Sequence, residues 1–185
     1  MKEKRMLIYR FLQENDLEQR VNFMNNPLIS GSMHYSTPVT IEGTLNWFNK
    51  NRTNQDRKDF VLEYNNQIVA MNGLTGKDSS ILKAETYSFV NPSFLGMGYG
   101  TKALALQAFF AFYLWNLQKI WCYTDSDNKS SQHMHYKIGY IKEGELRNEV
   151  YKNGVFLPRL YLGLIKEDFD KDKFIDLIRT TKMIF

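Results

Sequence analysis

The chain has one cysteine, Cys122, so it forms no internal disulfide and offers no cysteine-rich metal site. Such usage suits a reducing compartment, and the expected location is cytoplasmic. Histidines are also few, at three, and His133 and His135 miss the i, i+4 spacing that sets two ligands on one helix face. No metal site is expected. There is no apolar run of membrane-spanning length: Ala103 to Leu117 is interrupted by Gln107 and is rich in aromatics. There is no secretory signal, because after Lys2–Arg5 only Met6–Tyr9 are apolar before polar residues return. There is no basic run or aromatic-interleaved basic stripe, and a net charge of +4 suits a small anionic ligand without calling for nucleic acid or a membrane surface.

What is present is an ordinary globular composition. With 185 residues the chain is one domain by size, 1–185, long enough to bury a full core. Hydrophobic residues at 43% and charged residues at 24% fit a soluble protein, and 15% aromatics predict a large core with a ring-lined pocket. Met6–Phe11 reads as a strand. A helix opens at Glu14–Asp16, with Asn15 or Asp16 as its cap, and Pro27 stops it. Residues 28–39 read as loop, and Thr40 caps a second helix. Asp59–Tyr64 and Gln67–Leu74 form strands around an Asn65-Asn66 hairpin turn, and Ser79–Val90 continues the meander. An apolar helix runs from Thr101 to Leu117, a strand from Lys119 to Thr124 and a short helix from Asp127 to Lys137. Tyr140–Val150 and Leu157–Ile165 flank an Asn153-Gly154 hairpin, and Glu167–Phe185 reads as a final helix. The pattern β-α-α-β-β-β-α-β-α-β-β-α predicts one α+β domain: a mixed, mostly antiparallel sheet with a central βα crossover.

The crossover carries the strongest chemical signal. A strand ending at Phe89-Val90 runs into Gly96, Gly98 and Gly100 at alternate positions and then into a helix. Glycines allow close approach of backbone N–H groups, and the helix start adds free donors and positive dipole, so the turn can cradle a phosphate. A Walker A loop is absent. A dinucleotide fingerprint would sit at the first strand of a βαβ unit, whereas this turn follows a meander.

The turn resembles the acetyl-CoA pyrophosphate loop of the GNAT N-acetyltransferases, Arg/Gln-x-x-Gly-x-Gly/Ala. Gly98 and Gly100 match its small positions, and Leu95 stands where Arg or Gln is expected. Ala84-Glu-Thr-Tyr-Ser-Phe-Val-Asn-Pro is similar to the family's splayed fourth strand. Thr124 to Ser131 and Lys137-Ile-Gly-Tyr-Ile-Lys-Glu-Gly-Glu-Leu-Arg resemble the Asn-x-x-Ser … Lys-x-Gly-Phe … Glu-Gly-x-Arg signature of the branch containing ribosomal-protein N-terminal acetyltransferases. The matching elements span about residues 6–168, leaving 169–185 as a helical extension.

The resemblance implies the GNAT fold and acetyl transfer from acetyl-CoA to a primary amine by direct attack on the thioester. Acetyl-CoA would be held by the backbone of Phe89 and Val90, by the turn Leu95, Gly96, Met97, Gly98, Tyr99, Gly100 and Thr101, and by Asn128 and Lys137. Glu85 is the candidate base: it lies in a β-rich run, where burial would raise its pKa, and it alternates with Tyr87 and Phe89. The family's general acid is a tyrosine seven residues after the Asn128 position. Here His135 stands in that register with Tyr136 beside it, and His135 is favoured. Met33, His34, Tyr35, Ser36 and Trp47 are candidates for the amine pocket. The acceptor is left open among an amino-sugar nucleotide, a protein N-terminus, a polyamine and an aminoglycoside. The enzyme would act as a monomer or homodimer on a small-molecule or peptide amine. Leu95 and the missing tyrosine carry the alternative, an inactive CoA-binding or interaction module.

Overall fold

A computed structural model describes residues 6–185. The elements in order are β1 (Leu7–Phe11), α1 (Leu17–Asn25), α2 (Pro27–Ser30), α3 (Ile41–Asn51), β2 (Lys58–Tyr64), β3 (Gln67–Asp78), β4 (Lys83–Val90), α4 (Tyr99–Phe109), β5 (Lys119–Asp125), α5 (Lys129–Ile138), β6 (Ile141–Lys152), β7 (Val155–Ile165), α6 (Ile175–Thr180) and β8 (Lys182–Ile184). All eight strands join one sheet in the order β6-β7-β5-β4-β3-β2-β1-β8. The fold is α+β, as the element pattern predicts.

Local chemistry explains most of the joints. Asn65 and Asn66 both take positive φ, 49° and 59°, as a two-residue hairpin turn requires. Asn153 and Gly154 do the same at 52° and 81°. The Thr40 side chain accepts from Gly43 N–H at 3.1 Å and caps α3. Gln107, the polar residue in the apolar helix, has a partner: its Nε2 donates to Gly73 O at 2.7 Å. Asn72 Nδ2 donates to Ala103 O at 2.8 Å, and Tyr9 O–H donates to Asn72 Oδ1 at 2.9 Å. This buried chain pins α4 to β3 and β1 at a defined register.

The feature that creates a site is the pairing of β4 with β5. They run parallel and stay in register only from Lys83–Lys119 to Glu85–Trp121. Beyond Glu85, β4 remains bonded to β3, and β5 to β7, so a wedge opens in the middle of the sheet. Ala84 and Val90 face the core under α4, whereas Phe89 and Tyr87 pack with residues of α1 and α3. The wedge is therefore reached from both faces of the sheet.

Three segments differ from expectation. The helix from Tyr99 does not continue to Leu117. It widens into a π turn at Phe110–Leu114, and Asn116 at φ 55° reverses the chain into β5. Proline does more than stop α1: Pro27 sits at the first turn of α2, with Asn26 Oδ1 accepting from Leu28 N–H. The tail is not one helix. After two short 3-10 turns and α6, Lys182–Ile184 pairs in parallel with Ile8–Arg10 of β1. Phe185 packs against Tyr9, Phe11, Phe60 and Phe110 with ring centroids 4.9–6.0 Å apart. The edge of β1 needs a partner, and an apolar tail that covers it gains more than a solvated helix would.

Candidate active site

The wedge opens into a cavity of about 790 Å³. One wall comes from the Gly-rich turn, the start of α4 and the face of α5. The other comes from the opposite sheet face, closed over by the segment from α2 to His34.

The first wall is made largely of backbone. Gly96 and Gly98 take φ of 76° and 80°, and a Cβ added at either meets no atom within 4 Å. Their demand is conformational. Gly98 precedes α4, and the first bond there runs from Lys102 N–H to Gly98 O at 3.1 Å, leaving the amides of Gly100 and Thr101 without a helix partner. Gly100 has a different reason to be glycine: a Cβ there would lie 2.3 Å from Met134 Sδ and 2.9 Å from Val90 Cγ2. It lets α4 approach β4 and α5. Asn128 caps α5 by accepting from Ser131 N–H at 3.1 Å and also lines the cavity. Phe89, Val90, Leu95, Tyr99, Thr101 and Lys137 line the cavity as well, whereas Met97 is exposed and outside the lining.

Acetyl-CoA fits this wall. Ser88 Oγ and Thr124 Oγ1 are buried hydroxyls without a partner among the described residues, one on each side of the wedge, and both residues line the cavity. Buried polar atoms are rarely left so, and an extended chain of amides lying in the wedge would satisfy them. Among the described residues no cluster of His, Cys, Asp and Glu could hold a metal ion.

The second wall is made of side chains. Glu85 is half-buried and is the one carboxylate among the described lining residues. Burial raises its pKa, while Arg159 and Arg57 pull it back. Tyr87 also lines the cavity, but its hydroxyl donates to Asp59, which Arg57 clamps through two bonds of 2.8 and 2.9 Å. Burial pushes the Tyr87 phenol up to about 12. Met33 and His34 line the cavity. Tyr35 and Ser36 do not: the Tyr35 hydroxyl donates to Met24 O at 2.7 Å. Trp47 lies outside too, between the guanidinium groups of Arg20 and Arg57 at 4.5 and 4.8 Å from its ring centroid.

The two residues expected to supply a general acid sit differently. Tyr136 is 45% exposed and does not line the cavity. His135 does line it, buried, with its ring edge-on to Tyr140 at 4.8 Å. Its Nδ1 lies 2.8 Å from Ser131 O. A carbonyl only accepts, so the proton is on Nδ1 and the neutral ring offers Nε2 as an acceptor. Burial lowers the His135 pKa, which keeps it neutral. The expected acid position therefore holds a hydrogen-bond acceptor.

Sequence reasoning did not find Arg159, Tyr123, Thr124, Ser88 or the roof residues Leu28, Ile29 and Ser32. The convergence of Tyr123, Thr124 and Arg159 depends on β5 and β7 pairing, with Asp125 opposite Arg159. Cys122 also lines the cavity, yet burial pushes its thiol up to about 12, so it stays protonated and a poor nucleophile.

Comparison with known proteins agrees with this geometry. The Acetyltransferase (GNAT) domain profile matches residues 5–141. Spermidine N(1)-acetyltransferase of Escherichia coli K12 is 28% identical over 122 residues, covering 66% of this chain and 66%, about two thirds, of that protein. Spermidine N(1)-acetyltransferase of Vibrio cholerae is 23% identical over 159 residues, 84% of this chain and 92% of that one. Among solved structures, the Vibrio cholerae spermidine N-acetyltransferase in complex with CoA and spermine superposes with a TM-score of 0.83 at 21% identity, covering 88% of this chain and 97% of that one. No helix among the described residues is long and apolar enough to cross a membrane. The glycine turn, the open wedge and the domain match agree, and the chain belongs to the GNAT acetyltransferase family.

Proposed function

We propose that this single domain acetylates a primary amine that enters from the side-chain wall, while acetyl-CoA lies along the backbone wall. The observation that carries this division is the pair of orphaned hydroxyls, Ser88 and Thr124, inside the wedge beside the Gly-rich turn. The backbone of Phe89 and Val90, the amides from Gly96 to Thr101, Asn128 and Lys137 would hold the pantetheine and pyrophosphate. Leu95 removes one side chain from the family's loop but none of its backbone donors. Acetyl-CoA supplies the activated acyl group. The protein's part is to place the amine, release its proton and exclude competing water.

Glu85 receives the acceptor as an ammonium ion. It is the one carboxylate among the described residues lining the chamber, and Arg159 and Arg57 act on its charge. The spermidine enzymes among the relatives place polyamines first in an acceptor panel, followed by amino-sugar nucleotides, peptide N-termini and aminoglycosides. Met33 and His34 close the chamber over the amine. His135 contributes an acceptor to the wedge, so the departing thiolate takes its proton from the attacking nitrogen. No nucleic acid or membrane takes part in this reading, and the enzyme works in the cytoplasm as a monomer or homodimer.

The test is turnover. Purified protein, acetyl-CoA and the amine panel are expected to give saturable, amine-dependent release of free CoA, with the acetylated amine confirmed by mass. Saturable acetyl-CoA binding with no product from any amine would sink the transferase reading for these acceptors.

A further inference from the structure

A lining residue of the acceptor wall, His34, is held from behind by a side chain 91 residues away in sequence: His34 Nε2 is 2.8 Å from Asp125 Oδ1, and Asp125 itself does not line the cavity. Asp125 ends β5 and is 2% exposed. His34 stands on the segment between α2 and α3, lines the cavity and keeps 41% of its side chain exposed. A carboxylate accepts, so Nε2 carries a proton, and in the neutral ring Nδ1 keeps a lone pair. No described residue is bonded to Nδ1. Arg159 Nε is also 3.3 Å from Asp125 Oδ1, but the contact is not aligned as a hydrogen bond, and Arg159 Nε and Asp125 Oδ2 are left without partners. The one aligned bond of this buried carboxylate therefore goes to His34. Gln132 Nε2 holds the backbone beneath it, donating to Asp125 O and Ser126 O at 3.1 and 3.0 Å.

We infer that His34, oriented by Asp125, takes the proton of the acceptor's ammonium. The inference rests on the proposed acetyl transfer, with Glu85 holding the ammonium and Asp125 a positioning residue. The first proton passes from the ammonium nitrogen to His34 Nδ1. The freed nitrogen lone pair forms the N–C bond to the thioester carbon. The C–S bond breaks with its electron pair on sulfur, and the thiolate takes the nitrogen's second proton. The imidazolium, paired with Asp125, returns its proton to solvent through its exposed edge. Asp125 fixes the tautomer and stabilises the charge that forms. The other titratable or charged groups lining this chamber are Glu85 and Tyr87 on β4, Tyr99 on α4, Cys122 and Tyr123 on β5, Arg159 on β7, and Lys129, His133, His135 and Lys137 on α5.

Two measurements on the full chain test this. Nitrogen-15 NMR without substrates reads the tautomer: His34 is expected with Nε2 protonated and Nδ1 bare, and D125N is expected to mix the tautomers. A neutral ring with its proton on Nδ1 and Nε2 bare in the wild type overturns the proposal whatever the turnover. With an accepted amine in hand, H34Q keeps an amide donor for Asp125 but takes no proton. Its kcat is expected to fall about 100-fold with acetyl-CoA affinity unchanged, and the acid limb of the kcat/KM profile should flatten. D125N should lower kcat about tenfold, whereas E85Q should mainly raise the acceptor KM and keep the limb. H34Q within about twofold of wild type, or a limb lost in E85Q and kept in H34Q, overturns the assignment and returns the proton to Glu85. If no amine is acetylated, the transfer reading fails, and the tautomer still decides the pair.

Discussion

The two walls of the cavity solve the same task by different means. The wall proposed for acetyl-CoA is built from backbone: two glycines at positive φ, a third that admits no side chain, and a helix start. The wall proposed for the acceptor is built from side chains of distant segments, with Asp125 meeting His34 and Arg159 behind it at the end of β5. Backbone recognition tolerates changes of side chain, so Leu95 can stand where the family has Arg or Gln. Side-chain recognition does not tolerate them, so substitutions in the proposed acceptor wall are expected to change which amine is taken.

The sharpest way to break this comparison is through the glycines. G100V should lower stability by about 1–3 kcal/mol, measured by urea denaturation, because Val90 and Met134 already occupy the space. G98A meets no atom and should cost only about 1 kcal/mol, from its positive φ, while weakening acetyl-CoA binding. Equal stability losses would mean that the glycines share one role, against the account above.

A smaller effect sharpens the other wall. Glu85 is raised by burial in the folded protein, so the folded state binds a proton more tightly than the unfolded chain. Stability contributed by protonated Glu85 is lost as pH rises from the ordinary carboxylate value through the raised one. E85Q should therefore melt at a higher temperature than wild type at neutral pH, with the gap closing in acid. A gap that widens in acid would mean that the carboxylate is stabilised in the folded state, as in a structural ion pair.

What could be read from the chain follows the range of the forces involved. Asn65-Asn66, Asn153-Gly154, the Thr40 cap and the Gly-rich turn are set by neighbours, and each appears where expected. The tail departs from the helix its apolar stripe predicts, because that stripe does not reveal that β1 has an open edge for Lys182–Ile184. In the site, Glu85 and Gly98 belong to one continuous strand and turn, and their alternation placed them on the cavity. The partnership of His34 with Asp125 depends on β5 ending beneath the roof segment, which no local pattern encodes. The tautomer of His135 likewise depends on which nitrogen meets Ser131 O, a detail that residue type alone does not carry.

The most direct test of the two-wall account is isothermal titration of acetyl-CoA into the wild type and into the H34Q/E85Q double variant. The account predicts saturable binding with the same Kd in both, within about twofold, because the double variant alters only the acceptor wall. A folded wild type that binds no acetyl-CoA, or a variant whose affinity falls by more than about tenfold, would contradict it.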